Sequence, residues 1–365
     1  MIVARALFWS SLAALGWTHA AYPLVTTLLA RLRNRPVRTE AIEPGVAVIV
    51  TAYNEEAVIE RRLENLLALD YPAEKLELVV TSDASSDRTH ELVERFGARV
   101  RLIVNERGGK VAAQNRAVRE TGSEIVAFSD ANATWAPDAL RLLVRNFADP
   151  EVAYVCGRLV LETAEGSNRE GLYWRYELRQ REAESRLGSI TGGNGSIYAV
   201  RCSDYVEVDP KWGHDLSLPY RLVQAGRRAV YEPAARAFEK PTPTNETEYR
   251  RKVRMFEHCW EITLRGSMLR RLPPGYLVQM LSHRVLRYGS GILHVVLLGS
   301  TVALVREGWV YQAALTGQIL LLVAAGAGVG VARYYVLVTS ATLVALRNYL
   351  RHGVPATWEA AEGTR

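Results

Sequence analysis

The sequence predicts an α/β protein: a doubly wound, mostly parallel sheet forms the central domain, and transmembrane α-helices flank it. Two observations predict this class. Between residues 46 and 147, short apolar runs typical of buried strands alternate with segments of helical period. Outside that region, two windows of 25 residues, 6–30 and 308–332, contain no Asp, Glu, Lys or Arg, although these residues make up 23% of the chain. Uncharged stretches of that length are what a membrane span requires.

The first strand is expected at residues 46–52, a continuous apolar run typical of a strand buried on both faces. A helix follows at 55–69, because its apolar residues recur at helical spacing. The unit then repeats, with strands at 76–81, 100–104, 124–129 and 197–200 and helices at 87–96, 111–119 and 137–147. This regular alternation is the pattern of a doubly wound sheet.

The composition excludes several classes of protein. A hydrophobic content of 48% excludes disorder, and three cysteines without a CxxC or Cys/His spacing support neither a disulfide framework nor a structural zinc site. The 365 residues carry 45 Lys+Arg against 39 Asp+Glu, a net charge of +6. Much of this excess is arginine beside the apolar segments, which indicates positive-inside topology rather than a nucleic-acid-binding face: Arg31, Arg33, Arg35, Arg38, Arg265, Arg270, Arg271, Arg284 and Arg287.

This charge pattern predicts an integral protein of the cell membrane with a cytoplasmic central domain. The expected units are an N-terminal transmembrane helix (1–31), the α/β domain (45–248), an amphipathic interfacial segment (249–287), a membrane region of two or three helices (288–350) and a tail (351–365). A signal peptide is the alternative for the first unit, since Thr18-His19-Ala20 loosely resembles a cleavage site. The last apolar stretch, 334–346, would span only about 20 Å. It is therefore re-entrant or interfacial, or else the tail breaks the positive-inside rule.

Polar residues follow the predicted strands, where parallel sheets bind ligands. The segments are Thr-Ala-Tyr-Asn-Glu at 51–55, Ser-Asp-Ala-Ser-Ser-Asp-Arg-Thr at 82–89 and Ser-Asp-Ala-Asn at 129–132. Neither GxGxxG nor a Walker A loop is present. A nucleotide would therefore be held by side chains and metal rather than by a glycine-rich phosphate loop.

These segments, in order with Gly-Lys-x-x-Ala-x-Asn, Gly-Gly-Asn-Gly-Ser and His-Asp-Leu-Ser-Leu, resemble the family 2 glycosyltransferases of the membrane-bound bacterial polysaccharide or cell-wall type. The resemblance covers residues 46–254 and implies the GT-A fold. It also implies inverting transfer of a hexosyl or N-acetylhexosaminyl group. The donor would be a nucleotide-sugar, with a UDP-sugar favoured, and the acceptor a lipid-linked or glycan molecule at the membrane.

The resemblance places the nucleobase and ribose at the first two loops. Asp83 would accept a hydrogen bond from the base, and Tyr53 would pack on the ring, beside Thr51 and Glu55. A turn is the alternative for Asp83, and an N-cap is the favoured interpretation of Asp87.

Asp130 and Asn132 occupy the position of the family's Asp-x-Asp metal motif. They are expected to bind Mg²⁺ or Mn²⁺ beside the donor diphosphate, although an amide supplies one negative charge less than a second carboxylate. An Asx turn is the alternative.

The resemblance assigns Lys110 and Asn115 to the sugar or diphosphate, with a glycine turn and a solvated lysine as the alternative. The loop at 192–196 would lie at the acceptor end of the cleft, where its glycines permit close approach of a ligand. Its assigned members are Gly193, Asn194, Gly195 and Ser196. An ordinary loop before a strand is the alternative.

Asp215 is the expected catalytic base, taking a proton from the acceptor hydroxyl. The family commonly has Glu-Asp here, whereas this chain has His214 before Asp215, and His214 is interpreted as a local hydrogen-bonding residue. Arg251 and Arg254 are expected to bind the diphosphate. The segment that contains them stands where polysaccharide synthases of the family carry Gln-x-x-Arg-Trp, but its residues match that motif poorly. That departure favours transfer of one or a few sugars over processive synthesis. A membrane-surface helix is the alternative role for these arginines.

Two other functions stay open on the sequence. A nucleotidyltransferase would share the α/β architecture and the metal. A non-catalytic sugar-nucleotide-binding assembly subunit would need the Asp83 pocket but neither Asp215 nor a metal.

Overall fold

The computed structural model describes residues 1–161, 169–241 and 244–357, and side chains outside 162–173. Within this part of the chain, one mixed sheet runs through the centre in the order β3-β2-β1-β4-β7-β6-β8-β5. The strands are β1 (Val46–Ala52), β2 (Leu76–Asp83), β3 (Arg101–Asn105), β4 (Ile125–Asp130), β5 (Thr134–Trp135), β6 (Val152–Leu161), β7 (Tyr198–Arg201) and β8 (Arg228–Glu239). The doubly wound, mostly parallel α/β sheet is therefore confirmed.

The sheet's register brings three loops together. Strands β3, β2, β1 and β4 are all parallel, and Thr51 lies beside Thr81 on one side and Asp130 on the other. The strand order reverses between β1 and β4, which is where doubly wound sheets bind ligands. The carboxyl ends of β1, β2 and β4 consequently line one cleft.

Helices cover both faces of the sheet. They are α3 (Ile59–Leu67), α4 (Thr89–Glu94), α5 (Lys110–Arg119), α6 (Ala139–Val144), α7 (Arg169–Leu187) and α8 (His214–Gln224). Val48 of β1 packs with Leu63 of α3, whereas the next residue, Ile49, belongs to the opposite cluster with Leu218 of α8. Alternate residues of a strand point to opposite faces, so two buried faces require the uninterrupted apolar run of β1.

A second group of helices lies outside the sheet. It comprises α1 (Ile2–Gly16), a π-helical turn (Trp17–Ala21), α2 (Tyr22–Leu32), α9 (Asn245–Arg265), α10 (Pro274–Gln279), a π-helical segment (Met280–Val285), α11 (Leu286–Tyr288), α12 (Ser290–Leu304), α13 (Trp309–Gly326) and α14 (Gly330–His352). Of the described helices, α13 alone is long and apolar enough to cross a membrane by itself. The segment from α10 to α11 passes the same test jointly with α12, across a bend of 64°.

The uncertain apolar stretch at 334–346 lies inside the 23-residue helix α14, whose C-terminal half packs on α9. Trp260 Nε1 of α9 donates to the Thr342 carbonyl at 3.1 Å, and Asn348 donates to Glu257 at 2.8 Å. The end of α14 that carries Arg347 and Arg351 therefore lies next to α9, beside the α/β domain.

Candidate active site

The loops after β1 and β2 are tied together at the entrance of the cleft. Asn54 and Ala84 both have positive φ, 54° and 60°, which is uncommon for residues other than glycine. The Asn54 carboxamide accepts from the Ser86 N–H at 2.8 Å, and the Asp87 carboxylate accepts from the backbone of Glu56 and Thr89. Asp87 thus joins the two loops beside the start of α4, although the N-cap position of this helix is Arg88 and not Asp87 as expected.

Asp83, Tyr53 and Arg107 form a tight cluster at the ends of β2, β1 and β3. Asp83 is 2% exposed, and one of its oxygens accepts from the N–H groups of Gly108 and Gly109 at 2.7 and 2.9 Å. The other oxygen accepts from Arg107 at 2.6 Å, and the guanidinium carbon of Arg107 lies 3.3 Å from the centroid of the Tyr53 ring. The structure thus brings Tyr53 and Asp83 together and adds Arg107, which the sequence analysis missed.

Thr51 and Glu55 belong to the same loop as Tyr53. The Thr51 hydroxyl is buried and has no hydrogen-bond partner among the described residues. The Glu55 N–H donates to the Thr89 hydroxyl at 2.9 Å, which anchors the loop on α4. A buried hydroxyl left unpaired beside the cleft fits a ligand or water contact.

Lys110 and Asp130 form an ion pair at the centre of the cleft. Burial alone would lower the pKa of Lys110, but the Asp130 carboxylate raises it above its ordinary value. A Cβ atom at Gly195 would lie 3.2 Å from an Asp130 oxygen and 3.3 Å from the Lys110 amine. The 192–196 loop therefore passes directly over this pair.

Two charged residues beside Asp130 were not singled out from the sequence. Burial, followed by the charge of Asp130, raises the pKa of Glu239, at the end of β8, to about 7. One Glu239 oxygen is buried and has no hydrogen-bond partner in the described parts of the chain. Arg62 is 1% exposed beneath the strand ends and donates to Ser129 at 2.7 Å; burial lowers its pKa to about 9. The sequence signal for Arg62 was a charge on the apolar face of α3.

The cleft residues fit a divalent cation. The carboxylates of Asp130 and Glu239 and the carbonyl oxygen of Asn132 are the hard ligands that Mg²⁺ and Mn²⁺ prefer. The charge of Asp130 raises the pKa of Glu239, and a cation bound beside both would offset this repulsion. No group of three His, Cys, Asp or Glu residues that could hold a metal ion occurs in the described residues.

Asp215 lies in the first turn of α8 and is half-buried. Its backbone carbonyl accepts from the Gly193 N–H at 2.6 Å, and its charge helps to raise the pKa of Lys110. Its carboxylate forms no hydrogen bond or ion pair within the described residues. Asp215 therefore faces the same cleft as Lys110 and Asp130.

His214, next to it, is a structural residue. The imidazole lies 2.9 Å from the Tyr198 hydroxyl and 3.2 Å from that of Tyr205. Burial, helped by the charge of Lys110, lowers its pKa to about 3, so the ring is neutral at physiological pH. The interpretation of His214 as a local hydrogen-bonding residue agrees with these contacts.

The loop at 192–196 is shaped by its own side chains and by close packing. The Asn194 amide donates to the Gly157 carbonyl at 2.8 Å and accepts from the N–H groups of Ser196 and Ile197. A Cβ atom at Gly193 would lie 2.1 Å from the Tyr154 hydroxyl oxygen, so only glycine fits there. Asn194 consequently supports the loop, and Ser196 hydrogen-bonds to Glu239.

Asn115 does not join the cleft residues. It is 6% exposed, its amide donates to the Val208 carbonyl at 2.8 Å, and its carbonyl oxygen accepts from the Tyr205 hydroxyl at 2.6 Å. These contacts join α5 to the 205–208 segment. The structure therefore gives Asn115 a structural position in place of the sugar or diphosphate contact expected from the sequence.

The two predicted arginines of α9 lie on the opposite wall of the cleft. Arg251 pairs with Glu248 at 2.7 and 2.9 Å, and its charge offsets a small part of the rise in the pKa of Glu239. Arg254 lines a cavity of about 780 Å³ that Tyr53 and Arg107 also line. Both arginines thus border the region expected to hold the donor.

A buried polar network supports the loop at 192–196 from the side of α2 and the π-helical segment at Met280–Val285. Glu184 of α7 accepts from the hydroxyls of Tyr22 and Thr191, each at 2.8 Å, and contacts His283 at 2.7 Å. Arg284 donates to the Thr191 hydroxyl at 3.0 Å. The network joins α2, α7 and the π-helical segment. Its residues are far apart in sequence, and no motif predicted that they would meet.

The mostly parallel sheet, with acidic and basic groups at its carboxyl edge and without a glycine-rich phosphate loop, has the GT-A fold. Residues 47–207 match the family model described as glycosyl transferase family 2. Over this region the chain is similar to that family.

Relatives in sequence and structure agree with this classification. The chain is 31% identical over 175 residues to the β-monoglucosyldiacylglycerol synthase of Synechocystis sp. (45% of this chain, 36% of that protein). It is 25% identical over 252 residues to the poly-β-1,6-N-acetyl-D-glucosamine synthase of Staphylococcus aureus (64% and 59%). The structure of the mannosyltransferase PcManGT from Pyrobaculum calidifontis, in complex with GDP-Man and Mn²⁺, superposes with a TM-score of 0.72 at 25% identity, covering 96% of this chain and 98% of that one. The chain spans less than two thirds of the length of the two curated relatives.

Proposed function

We propose that this chain is a membrane-anchored, inverting glycosyltransferase that moves a hexosyl or N-acetylhexosaminyl group from a nucleotide-sugar to a lipid-linked or glycan acceptor, in cell-wall or exopolysaccharide synthesis. The observation that carries the proposal is that one cleft brings together the charged groups that such a transfer needs. The Asp83 cluster, the Lys110–Asp130 pair and Asp215 all face it.

Each part of the cleft has a role in such a transfer. Tyr53, Asp83 and Thr51 would contact the nucleobase and ribose, and Lys110 and Arg251 would offset the charge of the diphosphate. Asp215 would accept the proton of the acceptor hydroxyl while the oxygen of that hydroxyl attacks the anomeric carbon of the donor sugar.

Asp130, Asn132 and Glu239 would hold the divalent cation. When bound, the cation would stabilise the negative charge of the departing nucleoside diphosphate. The complex of PcManGT with GDP-Man and Mn²⁺ supports this assignment, because that protein shares the fold over nearly the whole chain.

The GDP-Man bound in the PcManGT complex supports a nucleotide-sugar donor. The names of the two curated relatives support an acceptor that is either a membrane lipid or a growing polysaccharide. The arginines beside the apolar segments, together with the position of Arg347 and Arg351 next to α9, support a domain on the cytoplasmic side of the cell membrane.

The test is transfer of labelled sugar. The purified protein is incubated with UDP-, GDP- or dTDP-sugars, Mn²⁺ and a membrane extract, and labelled lipid and glycan products are separated. We expect transfer from one donor class, with inversion at the anomeric carbon. Release of diphosphate from a nucleoside triphosphate would instead support a nucleotidyltransferase. Nucleotide-sugar binding without transfer would support an assembly subunit.

Asp215→Asn sharpens the same test. Because the amide cannot take the proton, turnover should fall roughly 10²- to 10⁴-fold while nucleotide binding is retained. Asp138→Asn, at an exposed position before α6, is the matched control and should leave turnover unchanged. Near-normal turnover of folded Asp215→Asn would contradict the catalytic assignment.

A further inference from the structure

The residues after α14 form a short strap, residues 353–357, which we call the C-terminal strap. Gly353, at φ 67°, turns the chain, and its N–H donates to the Tyr349 carbonyl at 2.8 Å. Val354 is 6% exposed and packs in the same cluster as Trp260 of α9. One end of the strap is thus anchored between α14 and α9.

The other end of the strap lies on Gly109. A Cβ atom at Gly109 would be 2.1 Å from the Ala356 carbonyl oxygen and 2.8 Å from the Ala356 carbonyl carbon. Gly109 also has φ 92°, a conformation that favours glycine. The strap and the loop before α5 are therefore in direct backbone contact.

This loop belongs to the Asp83 cluster. The N–H groups of Gly108 and Gly109 donate to Asp83, and Arg107 lies against the Tyr53 ring. The strap therefore packs against the outer side of the loop that holds Asp83.

The strap also borders the cavity of about 780 Å³ directly. Tyr53 and Arg107 line this cavity on one side, Arg254 of α9 on another, and Pro355 and Thr357 of the strap on a third. Its volume is in the range of nucleotide and cofactor pockets, roughly 300 to 1,000 Å³. The planar guanidinium of Arg107 stacks on Tyr53 and is suited to stack on a base as well.

We propose that the C-terminal strap is a wall of the donor nucleotide pocket and holds the 107–109 loop in its nucleotide-binding position. This inference rests on the proposed function of the same cleft. A loop held from outside loses less conformational freedom when the nucleotide binds, so the strap increases nucleotide affinity. Because coupling is reciprocal, nucleotide binding in turn orders the strap.

The experiment compares UDP, GDP and dTDP binding, each with Mn²⁺, by calorimetry in the full-length protein and in a full-length variant with Pro355→Gly, Ala356→Gly and Thr357→Gly. We expect the variant to bind the preferred nucleotide about fivefold more weakly or worse, with a matching rise in donor KM and little change in kcat. Arg351→Ala, exposed at the end of α14, is the matched control and should bind like the parent. Thermal unfolding checks that the variants are folded.

Hydrogen exchange provides a second readout. The amides of Gly108 and Gly109 should exchange faster in the glycine variant, and nucleotide should slow exchange of the Ala356 and Thr357 amides in the parent protein. Equal nucleotide affinity of parent and folded variant, or tighter binding by the variant, would overturn the strap's role and leave the proposed function intact. If none of UDP, GDP and dTDP bound the parent protein, the proposed function itself would be wrong, and this inference with it.

Discussion

The two sides of the cleft that we propose hold the donor and the acceptor, here called the donor side and the acceptor side, are built in different ways. On the donor side, Thr51, Asp83 and Asp130 come from the ends of adjacent strands, and short loops complete their contacts. On the acceptor side, the loop at 192–196 depends on groups far away in sequence, such as the Glu184–His283 contact across 99 positions. The donor side therefore depends mainly on the sheet register, and the acceptor side on tertiary packing.

This difference extends to electrostatics. Asp130 and Lys110 retain 29% and 20% side-chain exposure, so a ligand can reach them. Glu184 and His283 are 1% and 2% exposed, so their contact is a fixed part of the structure. Changes on the donor side should therefore alter binding and turnover more than stability, whereas changes on the acceptor side should do the reverse.

The largest expected effect is on the donor side and concerns the metal. Removal of divalent cations with EDTA should abolish transfer, and Mn²⁺ or Mg²⁺ should restore it. Asp130→Ala should lower turnover by roughly 10²-fold or more, because stabilisation of diphosphate charge contributes several kcal/mol. Radiolabel transfer at graded Mn²⁺ concentrations measures both effects. Asp209→Ala, at an exposed position, is the control. Full activity in EDTA would exclude a metal role for Asp130.

The next effect is on acceptor-side stability. Burial would raise the pKa of Glu184, but the nearby His283 and Arg284 lower it to about 2. Glu184→Gln should therefore reduce the free energy of unfolding by about 3 to 5 kcal/mol at neutral pH, as breaking buried charge pairs does. Thermal or denaturant unfolding in detergent measures this loss.

The pH dependence of this loss follows from the sign of the shift. A lowered pKa stabilises the fold above the ordinary carboxyl range, and this contribution disappears as pH falls toward 2. The difference between parent and Glu184→Gln should therefore shrink between about pH 4.5 and pH 2. A constant difference across this range would mean that the charge of Glu184 contributes nothing.

The sequence predicts which loops meet at the carboxyl edge of the sheet, for a physical reason. Strand periodicity places β1, β2 and β4, and parallel strands bring their polar ends to one edge, so Tyr53, Asp83 and Asp130 can be grouped without coordinates. Glu239 was not predicted, because β8 reaches the same edge only by pairing with β6. No local sequence pattern indicates that pairing.

The acceptor side and the strap could not be predicted in the same way. Glu184 lies in a helix rich in charged residues and only its tertiary contacts distinguish it from solvated neighbours. For Asn115, the position in the motif implied a ligand contact. In the fold its carboxamide instead holds the 205–208 segment. A motif position therefore predicts a residue type, whereas the tertiary contacts of that side chain decide its role in this chain.

A smaller effect tests the nucleobase wall of the donor side. Tyr53→Ala removes the ring on which Arg107 stacks, so nucleotide affinity should fall by about 1 to 3 kcal/mol, the usual contribution of an aromatic platform. Calorimetry with UDP and GDP measures the loss, and Tyr53→Phe should retain most of the affinity because it keeps the ring. If Tyr53→Ala bound both nucleotides normally, the base would have to lie elsewhere in the cleft.

The smallest effect separates a structural residue from a ligand-binding one within the same helix. Asn115→Ala removes the hydrogen bonds from α5 to Val208 and Tyr205, so the free energy of unfolding should fall by about 1 to 2 kcal/mol. Nucleotide affinity should stay unchanged, because the Asn115 side chain is occupied within the protein. Lys110→Ala, five residues earlier, should show the reverse pattern, since its amine lies in the cleft on Asp130. A loss of nucleotide affinity in Asn115→Ala without loss of stability would instead place Asn115 on the donor side, as the family motif alone implies.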